Sequence, residues 1–301
     1  MKSEYFLFEK DPQKRIGWII FNRPDKLNMF KVGEGDSLKL LLKEIERDDD
    51  VKVLIIKGAG ECFGSGGDVA LAGVETVGFT KGAKAAPPSL KTRLYAERSM
   101  MEWMAETRGS YFGLFCKPCI AQVHGYCYGW HFQVCATCDI IIASEDALFT
   151  NPAFRYITET WPAQHLMEQM GYKKFAEMVL TGRPFTAREM EQCGFINKVV
   201  SQDRLEEEVM DIASVIALQP LEMLMMDKHY LETLRDSRFQ ASAGLVDCMA
   251  HILSTYMKIE PGDFSILRDT TKYGPSGAIR ELERRYPPKY RLSYKGRTAK
   301  E

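Results

Sequence analysis

The sequence predicts an α/β protein built around a parallel β-sheet. Short apolar runs at residues 53–56, 120–123 and 140–143 have the length and the boundaries of buried strands. In neighbouring stretches apolar residues recur at three- and four-residue steps, as they do on one face of a helix. Strand, helix and strand in this order are typical of βαβ units, whose strands lie parallel in one sheet.

The first half of the chain begins with a predicted hairpin. A turn at Asp11 and Pro12 joins its two strands, and Pro24 helps to end the second strand. The acidic run 48–50, which follows the first helix, is interpreted as a solvated loop. The predicted elements are strands 6–8 and 17–21, a helix from Asp36, strand 53–56, a helix-like stretch 90–103, strand 120–123 and a helix from Gly129.

Glycine and proline divide the second half into shorter elements, because Gly194 ends one predicted helix and Pro220 begins a further helical region. The predicted elements are strands 140–143, 148–150 and 196–200, and helices 165–170, 173–180, 186–193, 204–218, 221–234 and 245–259. Residues 286–301 are basic and aromatic, and we interpret them as an arm that packs on a neighbouring molecule or as a frayed tail.

Composition indicates a globular protein with a sizeable core. The chain has 301 residues, of which 45% are hydrophobic and 27% are charged. A formal net charge of -1 gives no reason to expect nucleic acid or an anionic membrane as the main partner. No apolar run approaches the roughly 20 residues of a membrane span, and the N-terminal residues lack a signal-peptide pattern. We therefore expect a cytoplasmic protein.

Two Cys-x-x-Cys pairs have a spacing that also occurs in four-thiolate zinc sites. They are Cys116 with Cys119 and Cys135 with Cys138. The simpler interpretation is favoured, because three of these cysteines fall on the core sides of the predicted strand and helix, where a free cysteine behaves as a small hydrophobe. We therefore expect no metal.

Two glycine-containing turns carry the functional prediction. One follows strand 53–56 and includes Gly66, Gly67 and Asp68, and the other joins strand 120–123 to the helix that starts at Gly129. Glycine lets the backbone approach a ligand closely, and the first amides of a helix lie at the positive end of its dipole. Two such turns are expected to converge on one substrate oxygen that becomes negative during a reaction.

Five segments in series resemble the motifs of the crotonase (enoyl-CoA hydratase/isomerase) superfamily. They are residues 22–28, 63–68, 117–139, 149–152 and 180–200, and the similarity covers roughly residues 5–230. The resemblance implies a crotonase-like ββα superhelix with a catalytic core at residues 1–200. It also implies that the helical region 201–301 builds a homotrimer, or a hexamer made of two trimers.

The resemblance further implies an acyl-CoA thioester substrate and no separate cofactor. The amides of Gly67 and Trp130 would form the hole that stabilises a thioester enolate, although glycine is usual at the position of Trp130. Lys26 lies in the segment that contacts the nucleotide in relatives. The predicted substrate-binding residues are Lys26, Asn28, Ser65, Asp68, Tyr128, Tyr156 and Trp161, although Asp68 is expected mainly to order its own turn.

The general base is not fixed by the resemblance. Gln133, Ala153 and Trp161 stand where the family places carboxylates, and none of them can take a proton. Gln133 could hydrogen-bond a water molecule or the substrate carbonyl. Glu159 and His131 are the candidate replacements, the second because the ordinary pKa of histidine suits acid–base work. A solvent-facing glutamate and a packed histidine are the competing interpretations.

Three functions remain open from the sequence. The first is a non-standard enoyl-CoA hydratase, isomerase or lyase that acts on a cyclic or branched acyl group. The second is hydrolysis of a β-diketone without coenzyme A, and the third is an inactive scaffold that binds acyl-CoA. The long connection at residues 69–115 could be a lid, a loop whose lysines meet coenzyme A phosphates, or a disordered insertion.

Overall fold

The computed structural model describes residues 4–30, 34–67, 115–156, 163–236, 259 and 262–292. Within these residues lie nine strands. They are β1 (Phe6–Asp11), β2 (Ile16–Phe21), β3 (Val53–Gly58), β4 (Cys119–Val123), β5 (Tyr126–Tyr128), β6 (Ile140–Ser144), β7 (Leu148–Thr150), β8 (Phe185–Thr186) and β9 (Lys198–Val200).

Six strands form one sheet in the order β1-β2-β3-β4-β6-β9. β1 pairs with β2 in antiparallel orientation, and all the other pairs in this sheet are parallel. The remaining strands form a small second sheet in the order β5-β7-β8. This arrangement confirms the predicted parallel sheet and the opening hairpin. The predictions did not include β5 and β8, which are only three and two residues long.

The described residues also contain nine α-helices. They are α1 (Gly35–Glu46), α2 (Trp130–Ala136), α3 (Ala163–Met170), α4 (Tyr172–Thr181), α5 (Ala187–Gln192), α6 (Leu205–Ala217), α7 (Leu221–Asp236), α8 (Ile266–Tyr273) and α9 (Pro275–Arg284). Helices α8 and α9 were not predicted. The predicted helices 90–103 and 245–259 lie outside the described residues, apart from Ile259.

Both faces of the large sheet are buried, which explains why its central strands are continuously apolar. On β3, Leu54 and Ile56 face the main core, whereas Val53 and Ile55 face the opposite side. There they pack against the buried face of α6, which consists of Leu205, Val209 and Ala213. Helix α6 therefore covers the sheet itself, although the predicted domain boundary at residue 200 assigned it to the C-terminal region.

No single helix in the described ranges is long and apolar enough to cross a membrane. One pair, Gln202–Ala217 with Leu221–Arg235, reaches that length and composition together, and it is bent by 106° at the break.

The C-terminal segment packs on its own chain near β5 and β7. Arg155 lies in the short 3-10 helix Pro152–Arg155 after β7, and its side chain is 1% exposed. Its guanidinium pairs with Glu283 of α9 at 2.7 Å and lies 4.0 Å from the ring centroid of Tyr286. The same guanidinium donates to the carbonyl of Tyr290. Residues 286–292 therefore pack on their own chain and are not a frayed tail, whereas residues 293–301 lie outside the described residues.

A buried lysine supports the end of helix α1. The Lys117 side chain is fully buried, and its Nζ donates to the carbonyls of Ile45 and Asp48 at 2.7 Å and 2.8 Å. Burial lowers the pKa of this ammonium group. The two carbonyls belong to the last turn of α1 and the loop before β3, so Lys117 fixes how the chain enters the sheet.

We expect Lys117→Met to lower the free energy of unfolding by about 1–3 kcal/mol, because buried carbonyls would lose their donor. Urea denaturation checks this value. Lys43→Met is the matched control, because Lys43 lies exposed on helix α1, the helix that Lys117 supports. Its replacement should cost less than about 0.5 kcal/mol. Equal effects of the two substitutions would contradict the assigned role of Lys117.

Candidate active site

The glycine turn at residues 64–67 is held by main-chain hydrogen bonds on both sides. Gly64 donates to the carbonyl of Tyr126 at 2.7 Å and accepts from the N–H of Tyr128 at 2.9 Å. On the other side, the N–H of Phe30 donates to the carbonyl of Gly66 at 2.9 Å. The turn thus runs as a short extended segment between β5 and residue 30. This pairing fixes the direction in which the next residue, Gly67, presents its backbone.

The start of helix α2 lies directly against this turn. Gly129 precedes the helix with φ of 54°, and a Cβ added to it would lie 3.2 Å from the Cα of Gly66 and 3.9 Å from the N of Gly67. Trp130, the next residue, is the first of the helix. A Cβ added to Gly67 would meet no atom of the described residues within 4 Å, so these residues leave space beside it. The two predicted turns therefore come together, with Gly129 as the contact that the predictions did not identify.

The side chain of Trp130 is part of an aromatic cluster. Its ring stacks on Phe30 with centroids 3.9 Å apart and an interplanar angle of 10°. Phe21 meets it edge-to-face, with ring centroids 5.7 Å apart. These contacts explain how an indole is accommodated at the start of α2. The predicted hole uses the backbone amide of Trp130, which this side-chain packing does not replace.

His131 is buried and accepts a hydrogen bond from the glycine turn. It is 1% exposed, and its Nδ1 accepts the N–H of Gly66 at 3.1 Å. Burial lowers the pKa of His131 to about 3. A general base at neutral pH needs a pKa closer to the working pH and access to the substrate. The structure therefore speaks against the expectation that His131 transfers a proton.

Asn28 has a structural environment as well. It is 3% exposed, its amide donates to the carbonyls of Ala59 and Cys62 at 2.8 Å, and its Oδ1 accepts the N–H of Arg23. These bonds occupy the side chain, so the prediction that Asn28 binds substrate is not supported. Lys26, in the 3-10 helix Pro24–Lys26, is exposed and remains available for a nucleotide phosphate.

Of the remaining described candidates, Ser65, Gln133 and Tyr128 lie in or directly beside the same turns. Ser65 follows Gly64, and Gln133 is buried in α2 one turn after Gly129, whose carbonyl accepts its backbone N–H at 3.1 Å. Tyr128 is buried, and its hydroxyl donates to the carbonyl of Leu292 at 3.3 Å. The ring of Tyr156 lies 6.3 Å from that of Phe264. Asp68, Glu159, Trp161 and residues 69–114 of the long connection lie outside the described residues.

The C-terminal segment thus reaches the flank of the candidate site, a feature that the sequence interpretation missed. Leu292 accepts from Tyr128, and its N–H donates to Glu283 at 2.6 Å. Glu283 also pairs with Arg155. The signal was the four-residue spacing of Ala278 and Leu282 among charged residues over 275–284, which indicates an amphipathic helix.

The thiols of the two Cys-x-x-Cys pairs are buried as free cysteines. Cys119 and Cys138 donate their S–H to the carbonyls of Lys117 and Val134, and burial raises the pKa of both thiols. A zinc ligand would have to be a thiolate. Across the described part of the chain, no group of three or more potential metal ligands is present.

The pKa of His131 predicts a loss of stability in acid. Its folded-state pKa of about 3 lies below the value of about 6.5 for an unfolded chain, so below pH 6.5 the unfolded state binds more protons. The stability that His131 contributes by staying neutral is fully present above pH 6.5. The free energy of unfolding then falls by up to about 1.4 kcal/mol per pH unit as the pH drops towards 3.

Urea denaturation at pH 7, 6 and 5 checks this prediction by comparing the native protein with His131→Asn, which has no imidazole at this position. The variant should lose less stability per pH unit. His165, whose burial lowers its pKa to about 4, is present in both proteins and cancels in the comparison. Parallel pH profiles would contradict the prediction.

Comparison with known proteins identifies the family of this chain. Residues 11–258 match the family model described as enoyl-CoA hydratase/isomerase. The chain is 31% identical to a probable enoyl-CoA hydratase of Rhizobium meliloti (strain 1021) over 232 residues, 76% of this chain and 81% of that protein. It is 32% identical over 205 residues to a probable mitochondrial enoyl-CoA hydratase of Dictyostelium discoideum, 67% of each chain.

A solved structure of a similar protein shows the same fold. The crystal structure of a probable enoyl-CoA hydratase from Mycobacterium thermoresistibile superposes with a TM-score of 0.71 at 26% identity, covering 84% of this chain and 95% of that one. Because the family model spans most of the chain, these similarities extend to both glycine turns and to the sheet that positions them. The chain therefore belongs to the enoyl-CoA hydratase/isomerase family of acyl-CoA enzymes, within the crotonase superfamily.

Proposed function

We propose that this enzyme stabilises a thioester enolate with the main-chain N–H groups of Gly67 and Trp130. The observation that carries the proposal is that the two turns lie against each other. A Cβ built on Gly129 would come within 3.9 Å of the backbone N of Gly67. A thioester carbonyl that accepts two amides becomes a better electron sink, so its α-proton is lost more readily. Each donor of this kind contributes roughly 3 kcal/mol in the transition state.

The substrate side of the proposal uses residues around the hole. Exposed Lys26 is suited to a coenzyme A phosphate, and Ser65 lies within the turn that carries Gly67. We assign Tyr128 and Tyr156 to the acyl side. The hydroxyl of Tyr128 contacts Leu292 of the C-terminal segment, and the ring of Tyr156 lies against that of Phe264. Two relatives described above are named as probable enoyl-CoA hydratases, which supports an unsaturated acyl-CoA as the ligand.

The reaction is proposed to differ from simple hydration of a straight-chain substrate. Buried Gln133 and Ala153 cannot exchange a proton, so a different residue must act as the base. Glu159 is our candidate, and Gln133 would hydrogen-bond a water molecule or the substrate carbonyl. Such a rearranged site suits hydration, isomerisation or C–C cleavage of a cyclic or branched acyl group.

The same observation about Gln133 and Ala153 favours a second candidate, a scaffold that binds acyl-CoA without turnover. Incubation in D2O with isobutyryl-CoA, cyclohexanecarbonyl-CoA and crotonyl-CoA, followed by mass spectrometry, tests both. Deuterium at the α-carbon, or a converted enoyl group, supports the enzyme. Binding of these thioesters without exchange or conversion supports the scaffold, and activity on free β-diketones alone would require a hydrolase.

We also propose that the chain assembles as a trimer or as two trimers. Exposed apolar side chains on α7 support this proposal, namely Met223, Met226, Tyr230, Leu231 and Leu234. Light scattering coupled to size-exclusion chromatography should give a mass of three or six chains of 34.3 kDa. A monomeric mass at micromolar concentration would contradict the assembly without affecting the hole.

A further inference from the structure

His131 occupies space that exists only because residue 64 is glycine. A Cβ added to Gly64 would lie 2.1 Å from Cδ2 of the histidine ring, a distance that real contacts do not allow. The ring is otherwise enclosed by aromatic side chains. The centroids of Phe21 and Trp130 lie 4.9 Å from that of His131, and the centroid of Phe63 lies 6.1 Å away.

The hydrogen bond of His131 is directed at the residue before the proposed oxyanion donor. Nδ1 accepts the N–H of Gly66 at 3.1 Å, and Gly66 has φ of 103°, a conformation that side chains rarely adopt. In such a conformation the orientation of the following peptide depends on what holds the turn. His131 is itself the second residue of α2, so the bond links the two elements that supply the two amides.

We propose that His131 is a positioning residue that holds the Gly64–Gly67 turn against the start of helix α2. Residue 64 is glycine in this arrangement because a side chain there would overlap the His131 ring. This inference rests on the proposed function, because it assigns the bond a role in aiming the N–H of Gly67 at the substrate oxygen. Histidine does not take part in proton transfer in this scheme, since its Nδ1 is occupied and apolar rings surround it.

Two substitutions separate the hydrogen bond from the packing. In His131→Asn, Oδ1 stands at the branch position of Nδ1 and can still accept the N–H of Gly66. In His131→Leu, a methyl group takes that position and cannot accept. Both variants replace the imidazole ring by a smaller side chain, so a difference between them reports on the hydrogen-bond acceptor.

The first readout is amide hydrogen exchange of the unliganded protein, followed by mass spectrometry of a peptide that contains residues 64–67. We expect exchange of the Gly66 amide to be at least roughly tenfold faster in His131→Leu, because it loses its acceptor. In His131→Asn it should stay within about threefold of the native rate. This readout does not depend on which acyl group the enzyme uses.

The second readout is the rate constant for α-deuterium exchange into isobutyryl-CoA, with the dissociation constant measured separately. A displacement of about 1 Å at a reacting centre costs roughly 100-fold in rate, so His131→Leu should lose about 10- to 100-fold in rate constant at nearly unchanged affinity. His131→Asn should recover most of that loss. A merely structural role would lower both variants together.

Equal behaviour of the Asn and Leu variants in the amide exchange would overturn the proposal, whether both stay native-like or both are impaired. If the native protein exchanges no thioester, the proposed function fails, yet the amide readout still decides the positioning role. If His131→Leu does not fold, Gly64→Ala and Gly64→Ala/His131→Ala supply the test. The single variant should be strongly destabilised and the double variant relieved of the clash; absence of relief would also overturn the proposal.

Discussion

Gly67→Pro is expected to reduce turnover roughly 100- to 1,000-fold, because proline has no N–H to donate to the developing oxyanion. The parallel bridge between Phe30 and Gly67 uses the N–H of Phe30 and the carbonyl of Gly66, so this pairing does not require the N–H of Gly67. The initial rate of α-deuterium exchange into a saturated acyl-CoA measures the effect.

Gly67→Ala is the matched control for this substitution. It keeps the amide, and its methyl group would meet no atom of the part of the chain that the structure describes within 4 Å, so it should lose much less activity than the proline variant. Both variants should unfold at nearly the same urea concentration as the native protein. Equal activity of Gly67→Pro and Gly67→Ala would show that the N–H of residue 67 is not a catalytic donor.

Arg155→Met is expected to lower the free energy of unfolding by about 3–5 kcal/mol, because it leaves a half-buried carboxylate without its partner. The Arg155 side chain is 1% exposed and that of Glu283 is 15% exposed. The change also removes the contact with the ring of Tyr286. Urea denaturation measures the loss, and limited proteolysis should cut the C-terminal segment first.

Glu281→Gln provides the control on the same helix. Glu281 pairs with Arg284 at 3.4 Å, and the side chains are 35% and 76% exposed. Exposed pairs contribute little, so this substitution should cost less than about 1 kcal/mol. If Arg155→Met were no more destabilising than Glu281→Gln, the C-terminal segment would not be anchored through Arg155.

The sheet was predictable because its signal is local. Residues 53–56 are apolar on both faces since α1 and α2 lie on one side and α6 on the other, and such a run needs no long-range information to be identified. Strand β8 has two residues and exists only through its pairing with β7. No periodicity of its own marks it, so the sequence could not predict it.

The candidate site also has features that the sequence reveals and features that only the folded structure reveals. The two glycine turns are visible in the sequence, and the resemblance to the crotonase superfamily assigns the donor amides within them to Gly67 and Trp130. The environments of Asn28 and His131 depend on contacts from distant segments, such as the carbonyls of residues 59 and 62 and the N–H of Gly66. Burial also changes the chemistry of the imidazole, and a residue type alone does not reveal its burial.

Isotope-edited infrared spectroscopy tests most directly whether the amides of Gly67 and Trp130 donate hydrogen bonds to the substrate oxygen. Isobutyryl-CoA labelled with 13C at the thioester carbonyl would be bound to the native protein and to Gly67→Pro. Two amide donors should shift the C=O stretch of the bound thioester to lower frequency than in water, and the proline variant should reverse much of that shift. A carbonyl band at its aqueous frequency in the native complex, or one that Gly67→Pro leaves unmoved, would contradict the paired-amide site.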